Sequence, residues 1–147
     1  YHDHPPRPLS ARTSWAMQPS KPDMPKKPRV LKPDSDDEYF FSEGCHILEL
    51  SNTPHDPAVS IARARAGPGV TTRLHRLADT TERYVILSGM GQVETGGQPP
   101  VDVSPGDVVL IPPGCPQRIR NTGSEDLVFL AICSPRFTVS AYEDLGE

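Results

Sequence analysis

The stretch TRLHRLADTTERY, Thr72 to Tyr84, decides how this chain is read. It sets one histidine, His75, and one glutamate, Glu82, on either side of a turn, Asp79-Thr80-Thr81. In an extended strand, residues two apart share a face. Arg73, His75 and Leu77 therefore point one way, and Thr72, Leu74 and Arg76 the other. Glu82 and Tyr84 share a face of the next strand. An imidazole and a carboxylate on one face are half of a metal site, and Leu77 between them supplies no donor.

Outward from this stretch the texture is uniform. β-rich runs at 38–42, 45–51, 58–66, 71–77, 82–88, 90–95, 100–103, 107–111, 116–121 and 125–133 alternate with Gly, Pro, Asn and Asp punctuation. Short strands spaced about 8–12 residues apart predict an all-β sandwich or barrel. LVFLAIC, within 125–133, is apolar on both faces and is expected at the centre of a sheet. The closing AYEDLGE reads as one short helical turn.

Composition sets the outer limits. The chain has 147 residues, 35% of them hydrophobic, which suits one domain plus a tail. Eight of the 18 prolines fall within residues 1–36, without apolar periodicity. That segment is expected to be a flexible, proline-rich arm, because it buries too little to offset its ordering entropy. The barrel is expected over 37–140, with a C-terminal tail at 141–147. His2 and His4 read as solvated arm residues, Trp15 as a possible docking residue, and Met17 and Met24 as candidate starts. A net charge of −4 argues against a nucleic-acid partner. No apolar run approaches the ~18 residues of a membrane span, and the N-terminus lacks an apolar signal region, so the cytoplasm is the expected location. Three scattered cysteines, Cys45, Cys115 and Cys133, suit reduced, mostly buried thiols.

The punctuation has its own pattern. Gly69, His75, Leu77, Glu82 and Gly89 fall at the offsets of GxxxxxHxHxxxxExxxxxxG, with Leu77 in place of the second histidine. Gly106, Pro112, Gly114, Gln117 and Asn121 fall at those of GxxxxxPxGxxHxxxN, with Gln117 in place of the histidine. The chain thus resembles the cupin superfamily from about residue 37 to 137. HRLADTTERYVIL followed by PPGCPQRIRNTG is similar to small single-domain bacterial cupins.

The resemblance implies a double-stranded β-helix, or jelly-roll barrel, with His75, Glu82 and Gln117 converging inside it. The family's usual site is three histidines and a glutamate around a divalent metal. Here the implied ligands are His75, Glu82 and Gln117, holding Zn, Fe, Mn or Ni with waters. The carboxamide of Gln117 is a weak ligand, yet three protein ligands serve many zinc enzymes. The alternative is a metal-free pocket in which Glu82 and Gln117 bind a small molecule or each other. Glu82 and Tyr84 are the candidate catalytic residues; Arg73, Gln117 and Ile119 are the candidate ligand-binding residues. His46 shares a face with Leu48 and Leu50 and is expected to point inward as a core histidine; His55, in NTPHDP, reads as solvated. Arg63, Arg65, Arg76, Arg118 and Arg120 read as a charged outer face.

Three functions remain open at this point: a metal-dependent dioxygenase or isomerase/cyclase, a non-catalytic metabolite-binding module, and a metal-free enzyme using Glu82 and Tyr84. The resemblance also implies a homodimer, in which the CHILEL strand, otherwise an exposed edge, is covered by a partner.

Overall fold

The run around Leu127 is the centre of the architecture, as its two-sided apolarity requires. A computed structural model describes residues 27–146. Among them, eleven strands form two antiparallel sheets. They are β1 (Tyr39–Phe40), β2 (His46–Ser51), β3 (Ser60–Ala66), β4 (Leu74–Leu77), β5 (Thr81–Ser88), β6 (Gly91–Thr95), β7 (Val101–Val103), β8 (Val108–Ile111), β9 (Gln117–Asn121), β10 (Leu127–Ser134) and β11 (Tyr142–Gly146). One sheet runs β1-β2-β3-β10-β5-β8 and the other β11-β4-β9-β6-β7. This is the expected all-β jelly roll, with helix limited to 3-10 turns at Ser35–Asp37 and Val139–Ala141. No helix among the described residues is long and apolar enough to cross a membrane.

Each expected run contains a strand, and the alternation holds where the motifs lie. His75 and Leu77 are buried on β4, Glu82, Tyr84 and Ile86 on β5, and Gln117, Ile119 and Asn121 on β9. The inward positions are graded in polarity. β5 passes from Glu82 through Tyr84 to Ile86, and its neighbour β10 from Cys133 through Ala131 and Phe129 to Leu127. Ile86, Ile111, Ile119 and Leu127 are essentially fully buried, and each contributes roughly 2–3 kcal/mol by leaving water. The apolar end thus carries stability, leaving the polar end free for chemistry.

Two scaffold positions explain their residue types. Gly89 has φ +84, and a Cβ there would lie 2.5 Å from the Asp126 carbonyl oxygen. Asn121 donates to the carbonyls of Ala66 (2.9 Å) and Glu125 (2.7 Å) and accepts from the Gly123 amide. It ties the β9–β10 loop to the end of β3.

The structure corrects several expectations. AYEDLGE is not a helical turn: a 3-10 turn ends at Ala141 and β11 follows, paired with β4. Tertiary contacts override its weak strand pattern, with Arg76 on Glu143 (2.8 Å) and Arg73 on Asp144 (2.7 Å). His46 does not face the pocket. Cys45, Ile47 and Glu49 take the inward parity, and His46 packs edge-on against Phe40 outside. Nor is β2 an edge, because β1 pairs with it. Four of the five arginines expected on the outer face are paired there: Arg63 and Arg65 with Glu38, Arg76 with Glu143 and Arg118 with Glu94. His55 is exposed. His2, His4, Trp15, Met17 and Met24 lie outside the described residues, as does most of the expected arm.

Candidate functional site

At the polar end the two sheets enclose a cavity of about 50 Å³. Its floor is a row across the larger sheet: Glu49 of β2 opposite Ala62 of β3, Ala62 opposite Ala131 of β10, and Ala131 opposite Tyr84 of β5. Alanine at two central positions, where strands favour Val or Ile, leaves the room. His75 and Leu77 close the cavity from β4, Tyr142 from β11, and Glu43 from the loop before β2.

Of the residues expected in the site, His75, Glu82 and Tyr84 line this cavity. Gln117 is buried beside it, paired in register with His75, and its Oε1 accepts the Tyr84 hydroxyl at 2.5 Å. Ile119 lies deeper, in the apolar core. Arg73 stands outside the lining with its guanidinium on Asp144 (2.7 Å), because β4 begins only at Leu74.

The residues that sequence reasoning missed are Glu43, Glu49, Tyr142 and Cys133. Glu43 Oε2 lies 3.3 Å from His75 Nε2. The other ring nitrogen, Nδ1, donates to the Arg73 carbonyl at 2.7 Å, which requires the proton on Nδ1 in the neutral ring and leaves Nε2 as the acceptor. His75 also stacks on Tyr142, with centroids 5.1 Å apart. Cys133, opposite Glu82 in register, donates its thiol to Glu82 Oε2 at 3.4 Å. A carboxylate two residues before Cys45, in a turn-like SEGC, looks solvated in sequence; only the closure of β11 over β4 buries it.

Burial dominates the electrostatics. It pushes the Glu43 carboxyl up to about 8, helped by the nearby Glu82 charge. It pushes Glu82 up to about 7, against the thiol of Cys133 and the polar groups of Gln117 and Tyr84. Burial also lowers the pKa of His75, and it raises that of Tyr84 well above the phenol range. The Glu43–His75 pair is therefore best described as a neutral acid donating to a neutral imidazole. Tyr84 stays protonated, its hydrogen engaged by Gln117. Three buried polar atoms have no hydrogen-bond partner among the described residues: Glu49 Oε2, Glu82 Oε1 and the Tyr142 hydroxyl. All three belong to residues lining this cavity.

The metal that the family resemblance implies does not suit these donors. Leu77 offers no lone pair. The Gln117 oxygen is taken by Tyr84, and His75 Nε2 faces Glu43. No group of three or more His, Cys, Asp or Glu side chains among the described residues is disposed to hold a metal ion.

Residues 62–133 match the family model described as Cupin domain. The oxalate-binding protein of Thermotoga maritima is 36% identical over 90 residues, 61% of this chain and 73% of that protein. The glucose-6-phosphate isomerase of Thermococcus onnurineus is 40% identical over 77 residues, 50% of this chain and 39% of the isomerase. Among solved structures, Streptomyces Pac13, described as a unique nucleoside dehydratase, superposes with a TM-score of 0.67 at 14% identity, covering 80% of this chain and 92% of its own. With the two motifs on paired strands, β4 with β9 and β5 with β8, and the 36%-identical Thermotoga relative covered over 73% of its length, the chain belongs to the cupin family.

Proposed function

We propose that the barrel cavity is a small-molecule site that works by proton transfer, without a metal step. The observation that supports this reading is the unpartnered Glu82 Oε1 facing a cavity that also holds the Glu43–His75 pair. A carboxylate with a pKa near neutrality is matched to base catalysis at pH 7. A neighbouring group that keeps its proton is matched to acid catalysis. Together they suit enolisation and isomerisation. Glu82 takes a proton from the carbon next to a carbonyl, while the pair delivers one to the carbonyl oxygen. The pair then recovers a proton from the neighbouring heteroatom, and Glu82 returns its own to the original carbonyl carbon. Charge and protons balance at every stage. Tyr84 acts in this scheme as a positioning residue, holding Gln117 beside Glu82. The isomerase among the relatives and the dehydratase among the structures act on substrates whose conversion also moves protons. That parallel agrees with the reading but does not carry it.

Solvent-deuterium incorporation into hydroxyacetone and aminoacetone, followed by proton NMR, tests the proposal. Exchange at the carbon beside the carbonyl should exceed the buffer rate with the native chain and fall by about 100-fold or more in Glu82→Gln. Exchange equal to the buffer blank with both probes, or unchanged in the variant, removes the reading. Binding without exchange assigns the pocket to a non-catalytic module instead.

A further inference from the structure

We infer that the ligand of this cavity carries a positively charged nitrogen, as in a small organic amine. The inference rests on reading the cavity as the functional site. Glu43, Glu49 and Glu82 reach it from three separate segments, and no lysine or arginine is among the described residues that line it. Arg136 draws on Glu49 electrostatically but spends an Nη1 hydrogen on Asn52 (2.9 Å) and does not line the cavity.

The missing partners have a definite chemical sense. Glu82 is only 8% exposed, yet its Oε1 lacks a donor. Glu49 Oε2 lacks one too, and the Tyr142 hydroxyl lacks any partner. No side chain among the described residues donates to these two carboxyl oxygens, which accept when the acids are ionised. An ammonium group brings three donors and a compensating charge. A water molecule brings two donors and no charge, so it satisfies the oxygens without favouring the ionised forms of the buried acids, as a cation does.

The walls point the same way. Phe41 meets Phe137 and Tyr142 edge-on, at 6.4 and 5.0 Å between centroids, and Tyr39 lines the same cavity, 42% exposed. Aromatic faces next to carboxylates attract organic cations through the ring quadrupole. Among the described residues, the same lining holds no lysine or arginine as counter-charge for a dianion such as oxalate. A volume of about 50 Å³ limits the ligand to a few heavy atoms unless side chains move.

Three probes of one carbon skeleton decide the charge: aminoacetone, hydroxyacetone and pyruvate, titrated into the full chain at about pH 7.5, above the value of about 7 at which Glu82 ionises, and read by amide chemical shifts. Aminoacetone should bind at least about tenfold more tightly than hydroxyacetone, and pyruvate should not bind. Glu49→Gln should weaken the amine by about tenfold while leaving hydroxyacetone little changed. Tyr142→Phe, which keeps the ring, should retain most of the cation preference and gives a second variant should Glu49→Gln misfold. Hydroxyacetone or pyruvate binding as tightly as the amine overturns the inference, as does a Glu49→Gln protein that folds and keeps full amine affinity. Amine binding without deuterium exchange would keep the ligand class and remove the reaction; exchange without amine preference would do the reverse.

Discussion

His75 Nε2 lies 3.3 Å from Glu43 Oε2, and the backbone of Arg73 holds both partners. The Arg73 amide donates to the Glu43 carbonyl at 2.8 Å, and the Arg73 carbonyl accepts from His75 Nδ1 at 2.7 Å. The backbone of one residue thus positions the loop acid against the strand histidine and sets the tautomer between them. The Arg73 side chain, on Asp144, fastens β11 over the same pair.

The buried acids make stability fall as pH rises. Glu43 and Glu82 hold their protons to about 8 and about 7, because burial disfavours the charged forms. In the unfolded chain both are ionised well below pH 6.5, so between 6.5 and 8.5 the folded state binds more protons and is progressively destabilised. His75, whose pKa is lowered, acts in the opposite sense only below its unfolded value of 6.5. Urea unfolding should show a loss of roughly 2–3 kcal/mol across this window, much reduced in Glu43→Gln. A stability that rises toward pH 8.5 would contradict the neutral-acid description.

The donor set predicts metal behaviour. Elemental analysis of untagged protein, reloaded with Zn, Fe, Mn or Ni, should find less than about a tenth of an equivalent. The double substitution Leu77→His with Gln117→His restores the family's three histidines and should raise this toward one equivalent. The added imidazole at Leu77, 3% exposed, should cost about 1–3 kcal/mol without metal. Stoichiometric metal in the native chain would refute the assignment.

Gly89→Ala should destabilise the barrel by roughly 2–4 kcal/mol, from a left-handed backbone and a Cβ against the Asp126 carbonyl and Leu127 Cα together. The site lies at the other end of β5, so the effect belongs in thermal unfolding. Ligand affinity below the transition should be unchanged.

For the homodimer implied by family resemblance, β1 already covers β2 at His46 and Ile47. We propose the β8 margin as its seat: Leu110 and Val108 are exposed there at 71% and 56%, with Leu87 beside them on β5. Light scattering at micromolar concentration is expected to give twice the chain mass, and Leu110→Glu half of that value. A native monomer would end the expectation.

The sequence alone determined the barrel and half of the pocket. Glycines, prolines and Asn121 answer to local backbone geometry, and period-two alternation sets which residues of one strand share a face; that His75, Glu82 and Gln117 are neighbours came from the family resemblance their spacing carries. Tertiary structure decided the rest. Ile47 and Leu48 are both buried, so hydrophobicity could not say which parity of β2 faces in, and Glu49 was hidden in that ambiguity. Tyr142 joins the site because β11 pairs with β4, and Glu43 because its carbonyl accepts from the Arg73 amide; contacts between distant segments leave little trace in local composition. The same closure removes water from the acids and so produces the raised pKa values. Charge chemistry in this pocket is therefore a property of burial, which no residue carries in its own identity.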